Sequence, residues 1–578
     1  MTMRRLSVLI PIIAVAGCAT APVPSAPPAD VYPAGDPYAP KAPPPPVPAA
    51  EITTERMSEI TRVLASDEML GRAPGGPAEQ KTVDYLIAQF QGAGLEPAGE
   101  NGGWTQRVPM IHTQLTGPLK IDVRHGGTTD SLSPTDDVSM TTVLPVSEVK
   151  IVDAPMVFVG YGVTAPERGW DDFKDVDLKG KVALFLVNDP DFQAAAGDDS
   201  AGKFGDKTMT YYGRWTYKYE EAARRGAIAA MVVHETDGAG YGWNVAGSSA
   251  GENYAIELPA GAPRPPMLQG WIQRPAAERL LKRAGLDYAT LKRQARSRAF
   301  QPVDMKSTYS ASTAVTVEQI VSQNVLGKLT GASRPDEVVS YGGHWDAYGQ
   351  GEPDAQGRTV RPGAADDALG LAAMIEIARK FASRPRTERT LLFAAWTGEE
   401  SGLLGSEYYA QRPLYPAEKM VANLTLDTLQ WAGPVKDALL IGKGQSEMET
   451  ILAEEAAKQG RYVTVEGHPE RGLFYRADHF SFAKRGVPVL LDMALAGAYD
   501  LETGGREAGE KWLSDFTGTC YHQTCDAWSA NWDLRGAKQE ADLFYAIGAR
   551  LANGRAWPQW LPSSEFRKVR EESAAQRR

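Results

Sequence analysis

The sequence predicts an α/β fold: a mixed central sheet flanked by helices, interrupted by a β-rich insert. Three observations carry that expectation. Apolar runs of strand character recur at VVSYGG, LLFAAW and ANLTL, each delivering acids or a histidine at its C-terminal end. Between the first two stands RPGAADDALGLAAMIEIARKF, whose apolar residues follow helical spacing. From about Val143 to Pro302 the texture changes to short β-like runs broken by Gly, Pro and Asp. At 578 residues the chain is also too long for one ordinary domain.

Composition narrows the class. Hydrophobic residues make up 43% and charged residues 23%, as in globular proteins. Lys and Arg number 61 against 72 Asp and Glu, a net charge of -11. That balance argues against a nucleic-acid partner, which would favour a basic surface. Cysteine is scarce: Cys18, Cys520 and Cys525.

The N-terminus reads as a targeting segment over residues 1–18. Arg4 and Arg5 precede an apolar run from Leu6 to Val15, too short to span a bilayer, for which ~20 residues are needed. Its end, Val15-Ala-Gly-Cys18, resembles a bacterial lipobox. The resemblance implies cleavage before Cys18, acylation of that residue and a membrane partner through the lipid. Ala19 rather than Asp follows, which points to the outer membrane of a bacterial cell envelope, facing the periplasm or the cell surface. Residues 19–50 include PKAPPPPVP and read as an extended Pro/Ala-rich tether.

The folded part begins at residue 51. MSEITRVLAS and EQKTVDYLIAQFQGAGL have helical spacing, and Gly92 and Gly94 end the second helix. Residues 51–142 form the first part of the main domain in this reading, residues 143–302 the insert, residues 303–565 the second part, and 566–578 a charged tail. Within the insert, APMVFVGYGV, GKVALFLVN and AIAAMVVHE read as strands, and WTYKYEEAARRG as a helix feeding the last of them. This pattern resembles a protease-associated domain. His234 ends one of these runs and reads as an ordinary, partly buried histidine. VEQIVSQNVLGKLTG and DEVVSYGGHWD read as a hairpin-like strand pair.

The chemistry concentrates between Val338 and Asp427, with one histidine far downstream. In open α/β sheets, ligands collect at the C-terminal edge of the strands. His344 follows VVSYGG, and Asp346 two residues on is suited to hold an imidazole in one tautomer. Asp366 precedes a helix and can face two metals; Asp366 and Asp367 also suit the role of helix cap. Glu399 and Glu400 follow LLFAAWTG. Adjacent carboxylates at a strand end are unfavourable unless metals or protons separate their roles. Asp427 follows ANLTL, and His522 lies in CYHQTCDAW.

These separated motifs, in this order, resemble the di-zinc aminopeptidase family, family 28 of the metallopeptidases. LASDEMLGRAPGGPAEQKTVDYLIAQFQGAGLEPAG likewise resembles the opening of such a domain. The resemblance implies two zinc ions per chain. His344 and Asp427 would hold one, Glu400 and His522 the other, and Asp366 would bridge them. Glu399 would be the general base, taking a proton from a water between the metals, and Asp346 would orient His344. RADHFSFAKRGVPVLL resembles the segment before the last core strand. It makes Asp478 a site-lining residue, with His479 beside it not ligating. Tyr475 and Tyr521 are candidates to hydrogen-bond a developing oxyanion. Cys520 and Cys525 bracket His522, and a disulfide there would lock the loop.

The expected activity is hydrolysis of N-terminal residues from peptides. Carboxypeptidase or dipeptidase action by the same chemistry is the nearest alternative. The relatives that release glutamate carry a long helical C-terminal dimerisation domain, whereas this chain ends soon after EADLFYAIGARLANG. A non-catalytic surface binding protein and a one-zinc glutaminyl cyclase are weaker alternatives, because the full ligand set is present. Oligomeric state is open.

Overall fold

Thr53 starts the first helix, its hydroxyl accepting the Arg56 N–H at 3.3 Å, and Thr54–Leu64 follows. Helix Glu79–Gly92 is released by Gly94, which takes a φ of 84°. These ranges come from a computed structural model that describes residues 50–247 and 251–577. The segment with Cys18 and nearly all of the Pro/Ala-rich stretch lie outside the described residues. Among the described residues no helix is long and apolar enough to cross a membrane. Val47–Arg578 form one compact unit.

The apolar runs become parallel strands. Arg334–His344 lies between Arg389–Trp396 and Met420–Asp427, and Val489–Met493 adds outside the last. Their central residues are buried on both faces, which is why they read as continuous apolar runs instead of alternating ones. Helices Thr54–Leu64, Leu369–Ala382 and Arg535–Asn553 supply one covering layer. Aromatic residues around Trp396, Tyr409, Phe474 and Phe482 build the core of the opposite face.

Strand Val303–Leu329 runs antiparallel to Arg389–Trp396 through Val325–Leu329. It therefore does not pair with Arg334–His344 as a hairpin. Helix Leu369–Ala382 carries the chain back across the sheet, so that Arg389–Trp396 enters between the two.

This strand is 27 residues long and belongs to two sheets. Its second half pairs with Thr105–Leu115 in the main sheet, and Ser307–Ser312 pairs with Lys120–His125 in the other. The second sheet continues through Glu148–Phe158, Val182–Leu186, Ala229–His234 and Leu268–Gln273, three of whose contacts are parallel. Pairing with the long strand extends this second sheet from Lys120 to Ala314, beyond residues 143–302 on both sides. The short strands after residue 120 alternate exposed and buried residues, so they lack the apolar runs that marked the rest. The insert also returns Glu252–Ile256 to the main sheet, beside Thr105–Leu115.

The end of the chain is not a free charged tail. Helix Arg567–Glu572 packs down, and the buried Arg570 donates to the Met420 carbonyl at 3.0 Å.

Candidate metal centre

The parallel strands end together, and their last residues meet. His344 and Asp427 are the final residues of their strands, and Glu399 follows Arg389–Trp396 by a short turn. Gly398 takes a φ of 64° in that turn. Asp366 comes from the loop between His344 and helix Leu369–Ala382. His522 arrives from the far C-terminal side.

Asp366 stands in the middle. Its Oδ1 is 3.0 Å from His344 Nε2, and its Oδ2 is 3.2 Å from His522 Nε2. Asp427 Oδ1 lies 4.0 Å from His344 Nε2, and Glu400 Oε2 lies 3.4 Å from His522 Nε2. Two groups with metal-ligand spacing result, His344–Asp366–Asp427 and Asp366–Glu400–His522, within each of which the ligand atoms lie within 4.8 Å of one another. Asp366 belongs to both. Glu399 belongs to neither, and its Oε2 sits 4.0 Å from His344 Nε2.

The supporting contacts explain how so many acids stay in place. The His344 Nδ1 faces the Asp346 backbone carbonyl at 3.0 Å and the Asp346 carboxylate at 3.7 Å. That carboxylate instead accepts the backbone N–H groups of Glu399 and Glu400, at 3.1 and 3.3 Å. Asp346 thus orients the imidazole through its carbonyl and the Glu399–Glu400 turn through its side chain. Asp367 ties three segments together by accepting the N–H groups of His344, Gly370 and Thr428. The Gly370 bond is the capping role expected for this acid.

Sequence reading missed Asp526, Arg72 and Tyr348. The Asp526 carboxylate accepts the N–H groups of Ala365 and Asp366 at 2.9 and 3.2 Å, joining the His522 loop to the Asp366 loop. Arg72, fully buried, donates to the carbonyls of Trp345, Pro362 and Gly363 and so braces the other side of the same loop. Tyr348 lies against His522, with ring centroids 4.3 Å apart and the planes tilted by 41°, and shares the lining of a small cavity with Glu400. Asp526 and Tyr348 each lie four residues beyond a predicted ligand, a spacing that alone says nothing about contact. Cys520 and Cys525 form a disulfide that closes the loop around His522, whose φ is 64°.

The remaining candidates divide. Tyr521 lies against His522, with ring centroids 3.6 Å apart. Asp478 is buried beside the centre, where it adds to the charge felt by Glu399. Tyr475 is not at the centre: its hydroxyl donates to Glu565 at 2.8 Å within an aromatic cluster of Tyr211, Phe480 and Phe566. Its ring packs among other aromatic rings, and the hydroxyl turns to the Glu565 carboxylate. His479 packs on Phe474 in the core, and burial lowers its pKa to about 3.

The electrostatics are those of a site built for cations. Burial pushes the carboxyls of Glu399, Glu400 and Asp367 well above the ordinary range, and neighbouring acids add to the effect. Burial likewise raises Asp427 to about 6 and Asp478 to about 7. Burial would raise Asp366 too, but the adjacent His344 and His522 imidazoles outweigh it and hold its pKa below the usual value. His522 Nε2 is a buried atom between Asp366 and Glu400 without hydrogen-bond geometry to either. Uncompensated buried charge costs several kcal/mol per group, ~3–5 kcal/mol where one partner is missing. A nitrogen directed between two carboxylates, with acids in excess, is the donor set zinc takes. The residues therefore fit two such ions.

A small cavity beside the centre is lined by Tyr348, Asp366, Glu400, His522 and Asp526. A larger cleft of about 590 Å³ opens on the insert under His234, Trp243 and Arg274 and touches none of these acids. His234 there is buried and faces the Tyr241 carbonyl at 3.1 Å.

The model described as Peptidase family M28 matches residues 324–546, from the long strand to the last large helix. A probable zinc metalloprotease from Pyrenophora teres f. teres is 39% identical over 103 residues, 18% of this chain and 22% of that protein. Aminopeptidase Y from Saccharomyces cerevisiae is 27% identical over 226 residues, 38% of this chain and 37% of that protein. The matches thus span well under half the length of either curated relative. Among solved structures, an aminopeptidase from Aneurinibacillus sp. strain AM-1 aligns over 87% of this chain and 95% of its own, with 21% identity and a TM-score of 0.46. Residues 324–546, which hold every residue of the two ligand groups, match the model of peptidase family M28.

Proposed function

We propose that the chain is a two-zinc exopeptidase that removes N-terminal residues from peptides. The observation that carries this reading is Asp366, one oxygen toward each imidazole and each imidazole completed by a second acid. His344 and Asp427 would hold one ion, Glu400 and His522 the other, and Asp366 would serve both. Zinc bound there supplies Lewis acidity, polarising the scissile carbonyl and lowering the pKa of water.

The chain's own residues do the rest. Glu399, outside both ligand groups, takes a proton from the attacking water as the water oxygen bonds to the carbonyl carbon. The carbon–nitrogen bond then breaks, and Glu399 returns the proton to the leaving amine. Asp346 holds Glu399 and Glu400 at their backbone, so the base and the ligand keep separate directions. Tyr521 and Asp478 contact substrate beside His522 and Glu399. The insert acts as a protease-associated domain, a reading supported by helix Trp215–Arg224 feeding strand Ala229–His234.

A panel of aminoacyl anilides, with metal measured on the same sample, tests this. The expected result is about two zinc ions per chain, with turnover abolished by a chelator and restored by zinc. Two metals with turnover only of N-blocked peptides would move the activity to the carboxypeptidase type. A protein that neither binds zinc nor cleaves any peptide would overturn the reading.

The Cys18 lipid anchor and an outer-membrane location belong to the same proposal, supported by Arg4, Arg5 and the lipobox. Intact-mass analysis of protein from bacterial membranes is expected to show a mature N-terminus at Cys18 carrying acyl chains. An unmodified N-terminus elsewhere would remove the anchor.

A further inference from the structure

Burying a guanidinium without an acceptor is costly. Buried arginine nitrogens without an acceptor occur at several places in the chain, Arg296, Arg334, Arg412 and Arg570 among them. Two such arginines stand together where the insert meets the main domain. Arg214, 7% exposed, precedes helix Trp215–Arg224, and its Nε has no hydrogen-bond partner. Arg476 lies on the main domain, between Gly472 and Asp478, and its Nε and Nη2 are buried without partners. Among the described residues nothing accepts a hydrogen bond from these nitrogens.

The geometry brings the pair to one place. The Arg476 guanidinium stands 5.3 Å from the Tyr241 ring centroid, and Tyr241 feels the charge of both arginines. Gly472 backs onto Arg214, where an added Cβ would come within 3.4 Å of Arg214 Cδ. Burial, and then the Arg476 charge, push Arg214 down to about 9, as expected for cations facing one another without an anion. Helix Trp215–Arg224 has no side-chain cap at this end, so its dipole also favours an anion. Arg168, at the same junction, is different. It donates to the Lys203 carbonyl at 2.9 Å and pairs with Glu565 at 3.6 Å.

The place also says which part of a substrate would arrive. Two residues beyond Arg476, the Asp478 carboxyl feels His344 and Asp427, so the segment runs directly into the wall of the metal centre. An N-terminal residue ends at its free amine, so apart from its own side chain every group reaching away from the centre belongs to the leaving peptide. We propose that Arg214 and Arg476 form a carboxylate-binding subsite for the leaving peptide, made jointly by the insert and the main domain. A planar carboxylate matches two guanidiniums by charge-assisted hydrogen bonds. Its source is the chain-terminal carboxylate of a short peptide or an acidic side chain just past the scissile bond. The substrate assignment rests on the aminopeptidase reading above; the anion site itself does not.

The test compares kcat/KM for di- and tripeptides with free C-termini, their C-terminal amides, and amides carrying Asp or Glu after the scissile bond. Wild-type protein is expected to favour one carboxylate source over the neutral amide by about tenfold or more. Free-acid dipeptides leading would identify the chain terminus, and acidic amides leading would identify the side chain. In Arg214→Gln and in Arg476→Gln the acid-to-amide ratio is expected to fall toward one, whereas a merely structural loss lowers both substrates together. Equal rates on acid and amide in the wild type, or an unchanged ratio in both variants, would overturn the subsite. Calorimetric binding of an N-acetylated tripeptide and its amide separates the two readings. An acid preference without any turnover leaves the subsite standing and removes the peptidase. Turnover without an acid preference in either assay removes the subsite alone.

Discussion

Glu399→Gln is expected to lower kcat by about 10²- to 10⁴-fold, the range of general acid–base catalysis, while both zinc ions stay bound. The amide is close to isosteric, so packing at this buried position persists. Asp346 grips the residue by its backbone N–H, a contact the substitution leaves intact. Glu399 is in neither ligand group, so the metals lose no donor. What disappears is the only change that matters, the capacity to take a proton. Turnover of an anilide with metal content on the same sample reads both halves. A near-normal kcat would remove Glu399 as the base.

Asp366→Ala is expected to cost metal as well as activity. Asp366 alone belongs to both ligand groups, so its loss leaves each short of one donor. It also removes the carboxylate that both His344 and His522 face. The loop itself should hold. Asp526 accepts the Asp366 backbone N–H, and Arg72 binds the Gly363 carbonyl, neither of which needs the side chain. Zinc content well below two with an unchanged circular dichroism spectrum is the expected result. A variant retaining both metals at wild-type affinity would refute the bridge.

The site was more legible in the sequence than the fold around it, for a physical reason. His344, Glu399 and Asp427 each end an apolar run, and a run of that kind buried on both faces must be a strand whose end is an edge. Residues that act by holding backbone left no such trace. Asp526 accepts N–H groups from residues 160 and 161 positions away, and nothing in CDAW announces it. Arg72 stands in LGRAPGG, which has no apolar run to mark burial, yet it is fully buried. Tyr475 misled because its neighbours resembled a site-lining segment, whereas its hydroxyl follows Glu565. Strand Lys120–His125 was not legible as part of the second sheet because half-exposed strands alternate instead of running apolar. The pairing of VEQIVSQNVLGKLTG failed because sequence proximity suggests a hairpin, and a crossover helix overrode it.

The strand Val303–Leu329 has a mechanical consequence. It is one hydrogen-bonded beam fixed at both ends, in the insert's sheet and in the sheet that carries the acids. Enzymes that close on a substrate by swinging one lobe need a few residues that can change φ and ψ freely, and between the two sheets, from Ala311 to Val325, the strand is paired without a register shift. The Glu252–Ile256 strand braces the same junction a second time. Whatever adjusts to a peptide here must therefore be loops and side chains, and the distance between Arg214 and the acids is a built-in ruler for substrate length.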